Sequence, residues 1–313
     1  MAGSKGSTCA KHASGRRREF IGGSLMRPFS IAGLQVDLAY ADNSERLRAE
    51  ILTTKRIYPF VDMVVLGELA WFGPNLAAAE PLPGRTEEIM CRTAKEAGVW
   101  IVSGSLYERD GDKIYNTCPV IDPDGTVVCR YRKMYPFLPY EAGVASGDSC
   151  SVFEVPGVGK FGVSICYDMW FPETLRQMTW MGAEVILHPS MTYTIDRGVE
   201  TEMSRANAAM HQCYFIDLNV IGIGGGLSGV YGPGGEIIHR AGVGREVIVV
   251  ELDLDHVARV RERGWHGLGQ VLKSYRDADL TYPAYAEGAR ASQAFTALGP
   301  MHYHKAKARK SEG

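Results

Sequence analysis

No apolar run in this 313-residue chain approaches the eighteen or so residues that a membrane-crossing helix needs, so a membrane-embedded reading is set aside. Charge of one sign is also scarce: 34 Lys and Arg oppose 36 Asp and Glu, for a formal net charge of -2. With the signs interspersed, no long-range field remains to recruit nucleic acid or an anionic membrane, and small neutral substrates fit better. Cysteine is sparse and unpatterned. Its seven positions (9, 91, 118, 129, 150, 166 and 213) are odd in number and lack C-x-x-C spacing, so neither a disulfide framework nor a zinc site is expected. That usage points to a reducing, cytoplasmic setting. What the chain does have is 45% hydrophobic and 22% charged residues, an ordinary globular composition with ample length for a large core.

Along the chain, strand and helix patterns alternate. Residues 1–27 include Arg16, Arg17 and Arg18 but no sustained apolar stretch, because Arg27 interrupts it; a disordered extension is expected, with folding intact in a chain starting at Met26. Ser30 to Leu38 reads as the first strand. A helix follows from Asn43 or Ser44, with Leu47, Ile51 and Ile57 as its apolar stripe. Asp62 to Glu68 and Val99 to Tyr107 read as strands around a helix from Thr86 to Ala97, which has acids in its first turn and Gly98 at its end. Asn116 to Lys133 reads as a hairpin about Pro123-Asp124-Gly125. A β-α-β unit follows: a strand into Cys166, a helix from Pro172 to Met181, and a strand from Ala183 to His188. Then come a helix from Arg197 to Cys213, a strand from Tyr214 to Ile221, and a hairpin from Ser228 to Arg240. A strand from Glu246 to Leu252 leads into a helix capped by Asp255. The pattern is α/β with a mixed sheet whose faces must both be covered.

Three stretches carry chemistry. Lys160 to Glu173 reads KFGVSICYDMWFPE, in which Phe161, Val163 and Ile165 alternate with Gly162 and Ser164 and Pro172 opens a helix. Cys166 thus sits at the carboxyl end of a strand, where ligands bind in open α/β folds. A lone cysteine is more often buried and inert than nucleophilic. Asp62 to Ala70 (DMVVLGELA) ends a strand on Glu68, and Tyr131 to Glu141 (YRKMYPFLPYE) places Lys133 eight residues before Glu141. A thiol with a free pKa near ~8.5 needs a base or a positive potential to attack, and these stretches offer both.

Other signals are discounted. GGGLSG at Gly224 to Gly229 formally matches a dinucleotide loop, but a hairpin rather than a helix follows it. His188 is read as a hydrogen-bonded core or rim histidine, and Ser164 is expected to point away from Cys166 as a weak nucleophile candidate. His302 and His304 lie in a basic tail, a poorly preorganised metal site. Arg130 and Arg132 are read as solvated, Asp168 and Glu173 as structural.

The three stretches, in this order and with these neighbours, resemble the nitrilase superfamily of carbon-nitrogen hydrolases, whose Glu, Lys and Cys fall on Glu68, Lys133 and Cys166. The resemblance implies a four-layer αββα sandwich over residues 28–275, with 276–313 a C-terminal extension that could lie at an oligomer interface. It implies Glu68 as general base, Lys133 and the backbone N–H of Tyr167 as oxyanion donors, and Glu141 as a second glutamate that holds the lysine. Trp170, Met191 and Tyr193 are expected near the acyl pocket. Tyr167 and Asp168 match the amidase branch rather than the Trp-Glu of nitrilases. No cofactor or metal is called for, and a homodimer or higher homo-oligomer is implied. The expected activity is hydrolysis of a small non-peptide amide through a cysteinyl acyl-enzyme. Its rivals are a nitrilase, an acyltransferase, a carbamoyl-amine hydrolase using Arg197 to hold a carboxylate, and a non-catalytic binding scaffold.

Overall fold

A computed structural model describes residues 27–286 and 292–301, with the backbone of two short paired strands, Arg18–Glu19 and Leu25–Met26. Most of the expected N-terminal extension, and the tail bearing His302 and His304, lie outside the described residues.

Two sheets face each other. One has six strands in the order Ser151–Val155, Gly159–Val163, Val185–Ser190, Tyr214–Asn219, Gly229–Tyr231 and Ile237–Arg240. The other has eight and runs from Glu246–Asp253 through Pro28–Gln35, Met63–Val65 and Trp100–Val102 to Lys113–Ile121, whose neighbours include Leu106–Asp110 and Val127–Arg132. Central strands are parallel in both sheets, so they are buried on both faces and read as apolar throughout.

The period of two sorts these apolar residues into layers. Ile31, Met63 and Val65 join Phe161, Val163, Val185 and Leu187 in the core between the sheets. Their neighbours Ala32, Leu34 and Val64 turn outward under helices Ser44–Ile57 and Arg85–Ala97, against Leu47, Ile51, Ile89 and Met90. On the far side Ile186 and Phe215 pack with Leu175 and Met178 of helix Pro172–Trp180 and Ala208 of helix Arg197–His211. The result is an αββα sandwich of four layers. Gly162 permits the close approach on that side: a Cβ there would stand 2.9 Å from the Met178 sulfur.

Several boundaries differ from the sequence reading, each for a local reason. The strand expected over Val99 to Tyr107 is two strands, because Gly104 adopts φ +74 and a Cβ on it would lie 1.9 Å from the Gly67 carbonyl oxygen. The helix Leu254–Arg263 is capped by Asp253, which accepts the Asp255 N–H at 3.0 Å, whereas Asp255 binds Arg27. Arg27 also reaches Glu184 and the Val158 carbonyl, so it anchors the start of the domain. Arg130 and Arg132 are not merely solvated: each forks onto a buried acid, Glu87 and Glu108 respectively.

Candidate active site

The functional side chains leave the carboxyl ends of strands drawn from both sheets, where the backbone turns sharply. Glu68 follows strand Met63–Val65 and precedes Leu69 at φ 49; Cys166 follows Gly159–Val163 and itself has φ 47. A left-handed conformation at two non-glycine residues is strain that the surroundings must hold. At Leu69 the hold is Ser105, whose hydroxyl accepts the Leu69 N–H at 2.8 Å. Around Cys166 it is Asp168, whose carboxylate accepts the Ile165, Met134 and Tyr135 N–H groups and the Tyr131 hydroxyl. Asp168 is therefore structural, as read from sequence, but it also ties the Cys166 turn to the segment that delivers Lys133. Ser164 does turn away from Cys166 and bonds His188 Nδ1 at 2.5 Å. Strand parity is not the cause, since residues two apart share a face; the chain leaves the strand after Val163 and the positive φ at Cys166 redirects its side chain.

Lys133 is the centre of a buried charge network. Its Nζ donates to Glu68 Oε1 at 2.8 Å and to Glu141 Oε2 at 2.5 Å, with the lysine side chain only 1% exposed. Asn116, which the sequence reading did not single out, donates its amide N–H groups to Glu68 Oε1 at 2.9 Å and Glu141 Oε1 at 2.8 Å. The Phe137 N–H completes the hold on Glu141 at 2.7 Å. Asn116 lies on the strand paired with the one that delivers Lys133, and its carbonyl accepts the Lys133 N–H at 2.8 Å, so the hairpin pairing is the signal that could have found it.

Electrostatics separate the roles. Burial works against the charge on Lys133, but Glu141 and Glu68 overcome it and hold the ammonium well above the usual lysine range. Burial lifts Glu68 above the ordinary carboxylate range, with Lys133 pulling it back and Glu141 adding to the rise. Burial and then Glu68 push the Cys166 thiol up, with Lys133 opposing. Cys166 thus rests as a thiol beside Glu68 and the Lys133 ammonium, and it needs a base to become a thiolate.

All four of these residues open onto one cavity of about 440 Å³, and Tyr167, Trp170, Met191 and Tyr193 line it as well. Met191 to Tyr193 continue strand Val185–Ser190 and are clamped by Asn219, which accepts the Thr192 N–H at 2.9 Å and donates to the Thr192 carbonyl at 2.8 Å. The Thr192 hydroxyl in turn lies 3.6 Å from Cys166 Sγ. Neither Asn219 nor Thr192 carries a motif that marks it in sequence. Arg197, considered as a carboxylate anchor, is not in the cavity wall. It is buried and spent on Asp217 at 2.9 Å, Glu200, and the Gly226 and Leu227 carbonyls. His188 is a core histidine, held neutral by burial with a pKa lowered to about 4. The glycine loop at Gly224 to Gly229 leads into strand Gly229–Tyr231, not a helix. Among the described residues no group of acids, histidines and cysteines is arranged to hold a metal.

Residues 35–262 match the carbon-nitrogen hydrolase family profile. An omega-amidase NIT2-B of Xenopus laevis is 34% identical over 201 residues, covering 59% of this chain and 72% of the relative. An omega-amidase NIT2 of Danio rerio is 30% identical over 258 residues, covering 76% and 93%. Among solved structures, Nit3 of Saccharomyces cerevisiae, a member of branch 10 of the nitrilase superfamily, superposes with a TM-score of 0.69 at 27% identity, covering 75% of this chain and 94% of its own. An amidase from Nesterenkonia sp. shares the fold, with a TM-score of 0.65 at 22% identity over 75% and 94% of the two chains.

Proposed function

Because the chain belongs to the carbon-nitrogen hydrolase family, as an enzyme of its amidase-like part, we propose that it hydrolyses a small non-peptide amide through a cysteinyl acyl-enzyme. The observation that supports this most is the convergence of Glu68, Lys133, Glu141 and Cys166, from four separate segments, on one cavity with Lys133 bonded to both glutamates.

Glu68 takes the Cys166 proton as the sulfur attacks the amide carbon. A carbon–sulfur bond forms and the carbonyl electron pair moves onto oxygen, where Lys133 and the Tyr167 N–H serve as donors. Collapse re-forms the carbonyl while Glu68 returns its proton to the leaving nitrogen, and ammonia departs. Water then attacks the thioester with Glu68 again as base, releasing the acid and restoring the thiol. Burial, which lifts the carboxyl of Glu68, suits a group that must both accept and donate a proton. Glu141 keeps Lys133 charged and in place, and Asn116 holds both glutamates. No step in this scheme uses a cofactor.

Ammonia release from matched amide and nitrile pairs tests the reading. Amides should show the higher kcat/KM, and a higher value for nitriles overturns it. Added hydroxylamine distinguishes hydrolysis from acyl transfer: free acid dominates over hydroxamate if water is the acceptor, while ammonia is released in either case.

The setting we propose is cytoplasmic, supported by the six free cysteines among the described residues and by the lack there of any helix long and apolar enough to cross a membrane. We also propose a homo-oligomer of two or more chains. Trp180, 77% exposed at the end of the helix that follows the nucleophile, and the exposed Leu280, Tyr282 and Tyr285 support such a contact. Light scattering that finds only monomer at working concentration overturns that part.

A further inference from the structure

We infer that the cavity selects amides whose acyl chain bears no negative charge, an inference that rests on the amidase reading and refines it. The ionisable groups lining the cavity beside Cys166 and the tyrosines are unevenly divided: Glu68, Glu141, Asp196 and Glu200 face it, against Lys133 alone. Lys133 is already committed to two carboxylates and is 1% exposed, so its remaining reach is toward the reacting carbonyl. The neighbouring guanidinium of Arg197 is enclosed by Asp217, Glu200 and two carbonyls and does not line the cavity. Among the described lining residues, no cation remains to meet a carboxylate at the far end of a substrate.

What occupies the wall favours the opposite charge or none. Glu200 is close to the chemistry, since it lines the cavity together with Thr192, whose hydroxyl lies 3.6 Å from Cys166 Sγ. Asp196, half-buried, stands one helical turn earlier at the rim. Tyr40, Tyr140, Tyr193 and Trp170 supply aromatic surface, which packs against apolar chains and attracts cations to its faces. A substrate carboxylate entering here would lose water against fixed acids without a partner. An alkyl chain or an ammonium group meets no such opposition.

The test compares three four-carbon amides by ammonia release: butyramide, 4-aminobutyramide and succinamate. For the unaltered protein, kcat/KM for succinamate should fall at least about 10-fold below both others, the size expected of like-charge opposition in a partly desolvated site. Asp196→Asn should narrow the gap by raising succinamate relative to butyramide, with far-ultraviolet circular dichroism and thermal melting reporting that the variant is folded. Succinamate equal to or better than either companion overturns the inference and leaves the amidase reading standing. An unchanged gap in folded Asp196→Asn overturns its electrostatic cause. Turnover of none of the three removes the amidase reading and this inference with it.

Discussion

Asp168 Oδ2 accepts the Tyr131 hydroxyl at 2.6 Å in the sealed space between the sheets, joining the turn that bears Cys166 to the strand that delivers Lys133. Burial raises the Asp168 carboxyl to about 6, against the bonds from Tyr131 and the backbone that pull it down. Tyr131→Phe leaves the three N–H donors but removes this link. Stability should fall by roughly 1.5–3 kcal/mol, the cost of one buried charge-assisted bond. Turnover should fall through kcat more than KM, because the displaced groups act on the reacting atoms. Urea unfolding and steady-state kinetics check both.

Cys166→Ala should abolish ammonia release while the fold persists, since the change removes a single sulfur atom at a residue that opens onto the cavity. Far-ultraviolet circular dichroism and a discontinuous assay decide this. Normal turnover in the variant removes the acyl-enzyme proposal.

Lys133→Met should be the most destabilising change at the site. It leaves Glu68 and Glu141 buried together without their shared cation, a loss of roughly 3–5 kcal/mol. Lys133→Arg keeps the charge, yet its planar fork cannot occupy the same contacts, so kcat should drop by ~100-fold or more while folding is largely retained. Comparing the two variants by thermal melting and kinetics separates charge from geometry.

Acid should destabilise the fold through its buried histidines. Burial lowers His188 and His211 from 6.5 to about 4. Between those values the unfolded chain binds protons at these histidines that the folded chain refuses, so their contribution to stability is full above about 6.5 and declines as pH falls toward about 4. The limit is ~3 kcal/mol for each histidine. Asp168 and Glu68, whose raised carboxyls oppose this slope, are common to the unaltered protein and to His188→Gln, which can keep the Ser164 bond, so the difference in unfolding free energy between the two from pH 7 to 4.5 should show the His188 contribution.

Much of the layered fold was legible because buried parallel strands announce themselves. Ile31, Met63, Val65, Phe161 and Val163 alternate with residues that face the helices, and each helix shows its stripe. The break at Gly104 was less visible: a short apolar run reads as one strand unless the close approach of the Gly67 carbonyl is known. Arg130, Arg132 and Arg197 lie in polar surroundings in sequence, and only the fold reveals that each is paired.

By itself, then, the sequence determined which groups the proposed chemistry draws on: an acid at one strand end, a lysine leaving a hairpin, a cysteine before a helix, each recognisable from its neighbours. Tertiary structure alone decided what those groups are to one another. The bridge of Asn116 between Glu68 and Glu141, the clamp of Asn219 on Thr192 and the enclosure of Arg197 all join residues from different elements. Hydrogen bonds and pKa shifts depend on distance and burial in three dimensions, and no local pattern encodes either until the two sheets close over the site.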